Sequence, residues 1–358
     1  MGEVAGLDAL RLPLALQHFD CRNQRLAELA LQQDGFLAAV AAARGRYSAA
    51  RIGVYLGTST SGLLQTELAY GQRDAEGGLP ADYDYAATQN TSSLAGYVAE
   101  RCALRGPAHV ISTACSSSAK VFASAYRAMR AGFCDAALVG GVDSLCRTTL
   151  FGFASLQLLS NDVCRPADAQ RRGLSIGEAG GFALLEWADL ADREQVRVIG
   201  IGESSDAYHM SSPEPNGAGA IAAMRGALQA AGLVPGADAV DYVNLHGTAT
   251  PTNDLVEDRA VVNVFGVDQR CSSTKGWTGH TLGAAGIVEA LLCMLMLRAG
   301  VAPRSLNTRT LDSGIQARVL FENEQLDLRR VLSNSFGFGG SNCSLILEAP
   351  DARRSVSW

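Results

Sequence analysis

The chain has 358 residues, of which 47% are hydrophobic and 18% charged, with a formal net charge of -6. That length holds one large domain or two medium ones, and the apolar content excludes an intrinsically disordered chain. The acidic balance excludes nucleic-acid binding driven by overall charge and leaves only a local basic patch open.

From the N-terminus, the stretch MGEVAGLDALRLPLALQHFD lacks the basic start and apolar run of a signal peptide. Apolar strand-like runs follow at 52–56, 109–113, 136–139 and 182–186 in the first half. The second half has such runs at 196–201, 240–245, 270–274, 319–321, 332–334 and 344–348. Helix-like runs lie between them at 116–131, 218–231 and 282–297. Strand–helix alternation predicts an α/β layered fold with mostly buried strands. A polar stretch at 189–194 marks a seam, which divides the chain into residues 1–190 and 191–358. In each half an apolar strand runs into a reactive residue, HVISTA into Cys115 and VDYVNL into His246, as in an internal duplication. The run from Leu282 to Arg298 is the most apolar, but Glu289 and two glycines interrupt it, so it reads as a core helix rather than a membrane span. The nine cysteines form no CxxC pair and read as reduced thiols in a cytoplasmic protein.

Cys115 follows a strand and precedes the serine-rich helix start Ser116-Ser117-Ser118. A sulfur there meets the positive end of the helix dipole and free backbone N–H groups, which lower a thiol pKa and can face an oxyanion. The plain alternative is a buried structural thiol. Two of the five histidines, His246 in HGT and His280 in TGH, sit in glycine-flanked loops after strands. They read either as capping residues or as two imidazoles donating to one substrate group. A zinc site with Asp254 lacks HxH or HxxxH spacing. Lys275 lies between an apolar strand and a glycine-rich loop, where the alternatives are a solvated lysine or a buried one paired with Glu289. NSFGFGGSN, residues 334–342, reads as a ligand-approach loop or a tight hairpin. GIGESS is no dinucleotide fingerprint, and the sequence contains no GxxxxGK[ST] phosphate loop.

Together, TACSSS, SSDAYHMSSPEPNGAGA, HGTATPTND, SSTKGWTGHTLGAAG and NSFGFGGSN resemble the β-ketoacyl-acyl carrier protein synthase family, in its elongating two-histidine branch. The resemblance runs from about Arg51 to Glu348. It implies a thiolase-like fold of two similar α/β halves in an αβαβα core. It also implies decarboxylative condensation of malonyl-carrier protein with an acyl group held on Cys115, in fatty acid, polyketide or polyene-type biosynthesis. By the same resemblance, His246 and His280 bind the malonyl thioester, Lys275 orients the site and Glu289 is its ion-pair partner. Phe338 is the gate whose backbone N–H joins that of Cys115 in an oxyanion hole. Thr248 and Thr250 bind the phosphopantetheine arm, and Phe153 lines the acyl pocket. No metal or cofactor of its own is implied, because phosphopantetheine arrives on the carrier protein. The implied partners are an acyl carrier protein and a second subunit, either a copy of the chain or a ketosynthase-like partner; neither nucleic acid nor membrane is implied.

The chain departs from that pattern in several places. Residues 1–50 hold no Val/Ile/Gly-rich first strand; Arg172 replaces a common aspartate, Asn253 a usual glycine, and Trp277 a smaller residue beside the pocket loop. Two other roles differ from this one in their cysteines. A non-catalytic partner of the chain-length-factor type typically loses the cysteine that stands here at 115. A thiolase needs a second catalytic cysteine, for which Cys343 lies on a strand rather than in a CxG loop. Arg22 and Arg25 are candidates for a basic carrier-docking patch near the pocket entrance.

Overall fold

The structure, a computed structural model, describes residues 1–188 and 195–350. The seam expected at 189–194 falls outside the described residues. Helices α1 (Arg22–Leu31) and α2 (Phe36–Tyr47) open the chain. Then follow β1 (Ile52–Gly57), α3 (Leu63–Tyr70), α4 (Ser92–Arg101), β2 (Ala108–Ile111), α5 (Ser117–Arg130) and β3 (Ala136–Asp143). Next come α6 (Arg147–Ser155), β4 (Ala179–Glu186), β5 (Arg197–Ser205), α7 (Ala218–Ala230), β6 (Tyr242–Asn244) and α8 (Pro251–Phe265). The remainder is β7 (Arg270–Ser272), α9 (Lys275–Thr278), α10 (Ala285–Ala299), β8 (Val301–Ala302), β9 (Arg318–Val319), β10 (Glu324–Gln325), β11 (Arg330–Gly337) and β12 (Ser341–Glu348).

The first sheet has the order β2-β1-β3-β4, and the second β5-β12-β11-β6-β7-β9. In the first sheet β1 pairs parallel with β2 and β3, while β4 is antiparallel to β3. In the second, β6 pairs parallel with β7 and β11, while β12 is antiparallel to β11. The run β7-β6-β11-β12 therefore repeats β2-β1-β3-β4 strand for strand. The repeat differs at one edge: β5 pairs with β12, but among the described residues no strand pairs with the outer edge of β4. Residues 1–50 supply helices and a single bridge, Gly2 to Gly177, rather than a ladder.

Five layers result, because each strand alternates its side chains between two faces. Ile52, Val54 and Leu56 of β1 face α1, α2 and α4, while Tyr55 faces the centre. In the second sheet, Val331 and Leu345 face the centre, while Leu332 and Ile346 face α7 and α8. Helices α5 and α10 form the central layer and meet both sheets. A helix buried between two sheets is apolar around most of its surface. That explains why the segment Leu282–Ala299 is long and apolar enough to cross a membrane while packing as the core helix. Gly300, at φ 66°, stops it with a left-handed cap.

The strands are longer than their apolar runs in β4, β11 and β12, because ladder pairing extends into the polar residues that flank them. The run at 109–113 is cut short at Ile111, because Thr113 turns the chain into the helix start. The central helices approach without side chains between them. A Cβ on Gly57 of β1 would lie 2.4 Å from the Ser118 backbone N, and one on Gly286 of α10 would lie 2.4 Å from the Ala119 N.

Both obstacles are backbone and cannot swing aside. Gly57→Ala should therefore destabilise the protein by about 3 kcal/mol, the overpacking range. Gly45→Ala in α2, where a Cβ meets nothing within 4 Å, should instead gain up to about 1 kcal/mol of helix propensity. Urea unfolding midpoints of the two variants check this, and equal midpoints would show that the β1–α5 contact is not close-packed.

Candidate active site

Strand β2 ends in a tight turn, Ala114–Ser116, that feeds directly into α5. Ala114 has φ 52°, a left-handed conformation that costs energy for any residue with a Cβ. The turn is held by Ser117 Oγ, which accepts from Thr113 N at 2.9 Å and donates to Ala114 O at 2.6 Å. The bend places Cys115 at the start of the central helix, buried at 4% exposure.

The second half supplies the imidazoles. His246 follows β6, and its loop is fixed by a carboxylate: His246 N and Gly247 N donate to the two oxygens of Glu257 at 2.8 Å each. Asn334 of β11 donates to the same group at 3.1 Å. Burial pushes the Glu257 carboxyl up to about 7 despite those donors. His280 is pinned across the halves: its N–H donates to Ser175 O at 2.7 Å, and its carbonyl accepts from Gly177 N at 3.0 Å.

These loops bring His280 Nε2 to 3.0 Å from Cys115 Sγ. The imidazole rings of His246 and His280 stand edge to face, 5.4 Å between centroids. One ligating atom from each of Cys115, His246 and His280 lies within 4.8 Å of the others. Asp254 is not in the cluster; it accepts from Ala167 N and Ala249 N and faces Arg171. Lys275 begins α9 rather than ending a strand and is buried at 1% exposure, so the solvated reading fails. Its Nζ is bonded to Glu289 Oε1 and lies 3.4 Å from His246 Nδ1.

The protonation pattern follows from these donors. Lys275 Nζ can only donate, so His246 Nδ1 accepts and Nε2 carries the hydrogen. Leu282 N donates to His280 Nδ1 at 3.3 Å, which sets the same tautomer there. Burial, then the Lys275 charge, hold both imidazoles well below the ordinary histidine pKa, with His280 a further cause at His246. Both rings are thus neutral Nε2–H donors at neutral pH. A metal at the cluster would need those same Nε2 atoms free of hydrogen, which the Lys275 and Leu282 donors oppose. Against the lowered cysteine pKa expected from the helix terminus, desolvation pushes the Cys115 thiol up to about 11, opposed by the Lys275 charge and the Phe338 backbone N–H.

A cleft of about 170 Å³ leads to the sulfur. Thr248 and Thr250 line it with their hydroxyls 3.0 Å apart, and Phe153 stacks on Phe338 at 5.4 Å. NSFGFGGSN is both things at once: a β11–β12 hairpin whose turn, with Gly339 and Gly340 at φ 80° and 74°, lies on the cleft. The first part of SSDAYHMSSPEPNGAGA, from Asp206 to Pro213, forms the rim, with Met210 O accepting from Gly339 N and Asp206 N donating to Gly340 O. Asn253 lines the cleft, whereas Trp277 is 53% exposed and is not among its lining residues. Arg172 is exposed. Arg22 and Arg25 do not form a free basic patch: Arg22 pairs with Glu3, Asp8 and Glu178, and Arg25 with Asp20. Sequence reasoning missed Glu257 and Asp143. HGTATPTND drew attention away from the glutamate three residues beyond it, and Asp143 carries no motif at all.

Residues 24–191 match the family model for the N-terminal domain of β-ketoacyl synthase, and residues 196–309 match that for its C-terminal domain. The chain is 38% identical over 270 residues to the mitochondrial 3-oxoacyl-[acyl-carrier-protein] synthase of Arabidopsis thaliana, covering 70% of this chain and 58% of that protein. It is 34% identical to 3-oxoacyl-[acyl-carrier-protein] synthase 2 of Coxiella burnetii, covering 84% and 76% respectively. Among solved structures it is similar to a chain of the complex of the ketosynthase ApeO with its chain length factor ApeC from Xenorhabdus doucetiae. That match has a TM-score of 0.88 and 41% identity, over 97% of this chain and 86% of that one. A β-ketoacyl synthase from Burkholderia phymatum matches at TM-score 0.84 and 29% identity, over 98% and 86%. The αβαβα layers are those of the thiolase fold, and the chain belongs to the β-ketoacyl-acyl carrier protein synthase family.

Proposed function

We propose that the protein is a condensing enzyme that joins an acyl group, held as a thioester on Cys115, to the two-carbon unit released from a malonyl thioester. The observation that carries this reading is the cluster itself: one sulfur and two neutral imidazoles with reactive atoms within 4.8 Å, at the inner end of a cleft.

In the first step Cys115 gives up its thiol proton and its sulfur attacks an incoming thioester carbonyl, and the pantetheine thiolate leaves and takes up that proton. A malonyl thioester then occupies the cleft with its arm against Thr248 and Thr250. Its C–C bond to the carboxylate breaks, CO₂ departs, and the electron pair moves onto the thioester oxygen as an enolate. The Nε2–H groups of His246 and His280 face that oxygen. The enolate carbon attacks the Cys115 acyl carbonyl, whose oxyanion is met by the backbone N–H groups of Cys115 and Phe338. Collapse expels the Cys115 thiolate and frees the 3-oxoacyl thioester. Each oxyanion donor is worth about 3–4 kcal/mol at most. Lys275, balanced by Glu289, keeps His246 in the donor tautomer through all these steps.

The relatives named as acyl carrier protein synthases support a carrier protein as the substrate's bearer. The similar chains from ketosynthase–chain length factor complexes, ApeO with ApeC and the ishigamide pair, support a ketosynthase-like second subunit. The chain spans 58% and 63% of the lengths of the Arabidopsis and Rhizobium meliloti synthases, so these partners are part of the proposal. A non-catalytic partner role is the second reading, and one experiment separates the two.

Mixed with acyl-carrier proteins of graded chain length, the protein should gain the mass of one acyl group in intact-protein mass spectrometry, and Cys115→Ala should gain none. Loading that survives the substitution removes the nucleophile assignment, and no loading with any chain favours the partner role. His246→Ala and His280→Ala should each lower condensation by about 10²–10³-fold, the loss typical of one oxyanion donor, measured as CO₂ release from malonyl-carrier protein. The raised thiol pKa also has a signature. The thiolate fraction grows with pH until the pKa is passed, so the rate of Cys115 alkylation by iodoacetamide should rise about tenfold per pH unit beyond the free-cysteine value of about 8.5. A plateau below that value would show that the helix terminus outweighs burial.

A further inference from the structure

Asp143, the last residue of β3, is fully buried and takes no part in the steps above. Its carboxyl accepts from the backbone N–H groups of Ser59 at 2.9 Å, Thr60 at 2.8 Å and Gly283 at 2.5 Å. The hydroxyls of Thr58, Ser59 and Thr60 donate to it at 2.6, 2.5 and 2.8 Å. Two donor loops therefore converge on one carboxyl. One follows β1 in the first half; the other is the His280 loop of the second.

The Gly283 bond is the informative one. A Cβ at Gly283 would lie 2.7 Å from Asp143 Oδ2 and 2.8 Å from Ser59 N, so this backbone is seated against the carboxyl with no room for a side chain. The residue before it, Leu282, is held at φ 54°, a left-handed conformation that leucine avoids. That conformation relates two successive N–H groups, so that Leu282 N donates to His280 Nδ1 while Gly283 N donates to Asp143. A strained backbone persists only where its surroundings over-determine it. Here the constraint is Asp143 on the far side of the same peptide loop.

We propose that Asp143 is a positioning residue for His280: by anchoring Gly283 it holds Leu282 in the conformation whose N–H fixes His280 as the Nε2–H tautomer. Its catalytic consequence rests on the condensing reading above, but the tautomer itself does not. Without the anchor Leu282 relaxes to negative φ, Nδ1 loses its donor, and the imidazole is free to carry its hydrogen on the wrong nitrogen for meeting an enolate oxygen.

The test reads the tautomer directly. Ring ¹⁵N spectra of histidine-labelled protein, assigned with His280→Ala, should show a single Nε2–H form for His280 in the natural chain. In Asp143→Asn, which keeps the shape but turns one of the two accepting oxygens into an NH2 donor, the side chain can no longer accept from both Gly283 N and the Ser59 and Thr60 N–H groups, and the signal should move toward a mixture containing the Nδ1–H form. Ser59→Ala, which removes a hydroxyl bonded to Asp143 Oδ2 and 3.3 Å from Gly283 N, should move it less and in the same direction. This second variant decides the matter if Asp143→Asn does not fold. CO₂ release from malonyl-carrier protein should fall about 10-fold or more in Asp143→Asn, and Asp143→Asn in a His280→Ala background should cost no more than His280→Ala alone. A purely structural clamp would add its loss to that of His280→Ala. An unchanged His280 signal in both variants, or an additive double variant, overturns the proposal. A shifted signal in a protein whose natural form releases no CO₂ supports the positioning and overturns the condensing reading instead.

Discussion

The first turns of α5 and α10 meet between the two sheets, and the functional groups are arranged around that contact. Gly286 sits against Ala119 so closely that no Cβ fits, and Ile287 N donates to Ser118 Oγ at 2.9 Å. Helix α5 brings Cys115 at its start; the loop into α10 brings His280, and α10 itself brings Glu289 to Lys275. A side chain inserted at the seam would move the sulfur away from the imidazole by about the width of a methyl group, and a displacement near 1 Å is enough to spoil a reacting geometry.

Burial has opposite consequences for the groups at that seam. It keeps the two imidazoles neutral, which suits donors, and it raises the Cys115 thiol, which works against a nucleophile. Lys275 bears on both: its charge lowers the thiol pKa and also helps to keep the histidines unprotonated. A lone ammonium in such a place would be expensive, and Glu289 supplies the counter-charge. The site therefore holds its acid–base states through packing and a single ion pair.

The two halves share one strand pattern but contribute different chemistry. The first gives the thiol and the second gives the imidazoles and the lysine, each from a loop that follows the corresponding strands. They are joined where backbone crosses between them: Ser175 and Gly177 on His280, and Asp143 on Gly283. The repeat is incomplete at β4, whose outer edge has no counterpart to β5 among the described residues. Residues 1–50 lack a Val/Ile/Gly-rich strand and fold as helices over the outer face of the first sheet.

The sequence by itself determined the residue chemistry and the α/β class, and the family resemblance implied the layer order. Alternating apolar runs located the principal strands, and Cys115, His246, His280, Lys275 and Glu289 were each marked by a strand end, a glycine-flanked loop or an apolar neighbourhood. Local pattern could not reveal Asp143, because its partners lie 83 to 140 residues away, nor the pairing of Arg22 and Arg25 with acids, which removed them as a patch. Nor could it weigh burial against the helix terminus at Cys115, since a helix terminus is visible in sequence while the depth at which it is buried is not. Tertiary structure decided those points, because desolvation and long-range hydrogen bonding depend on what closes over a residue, and that is supplied by distant parts of the chain.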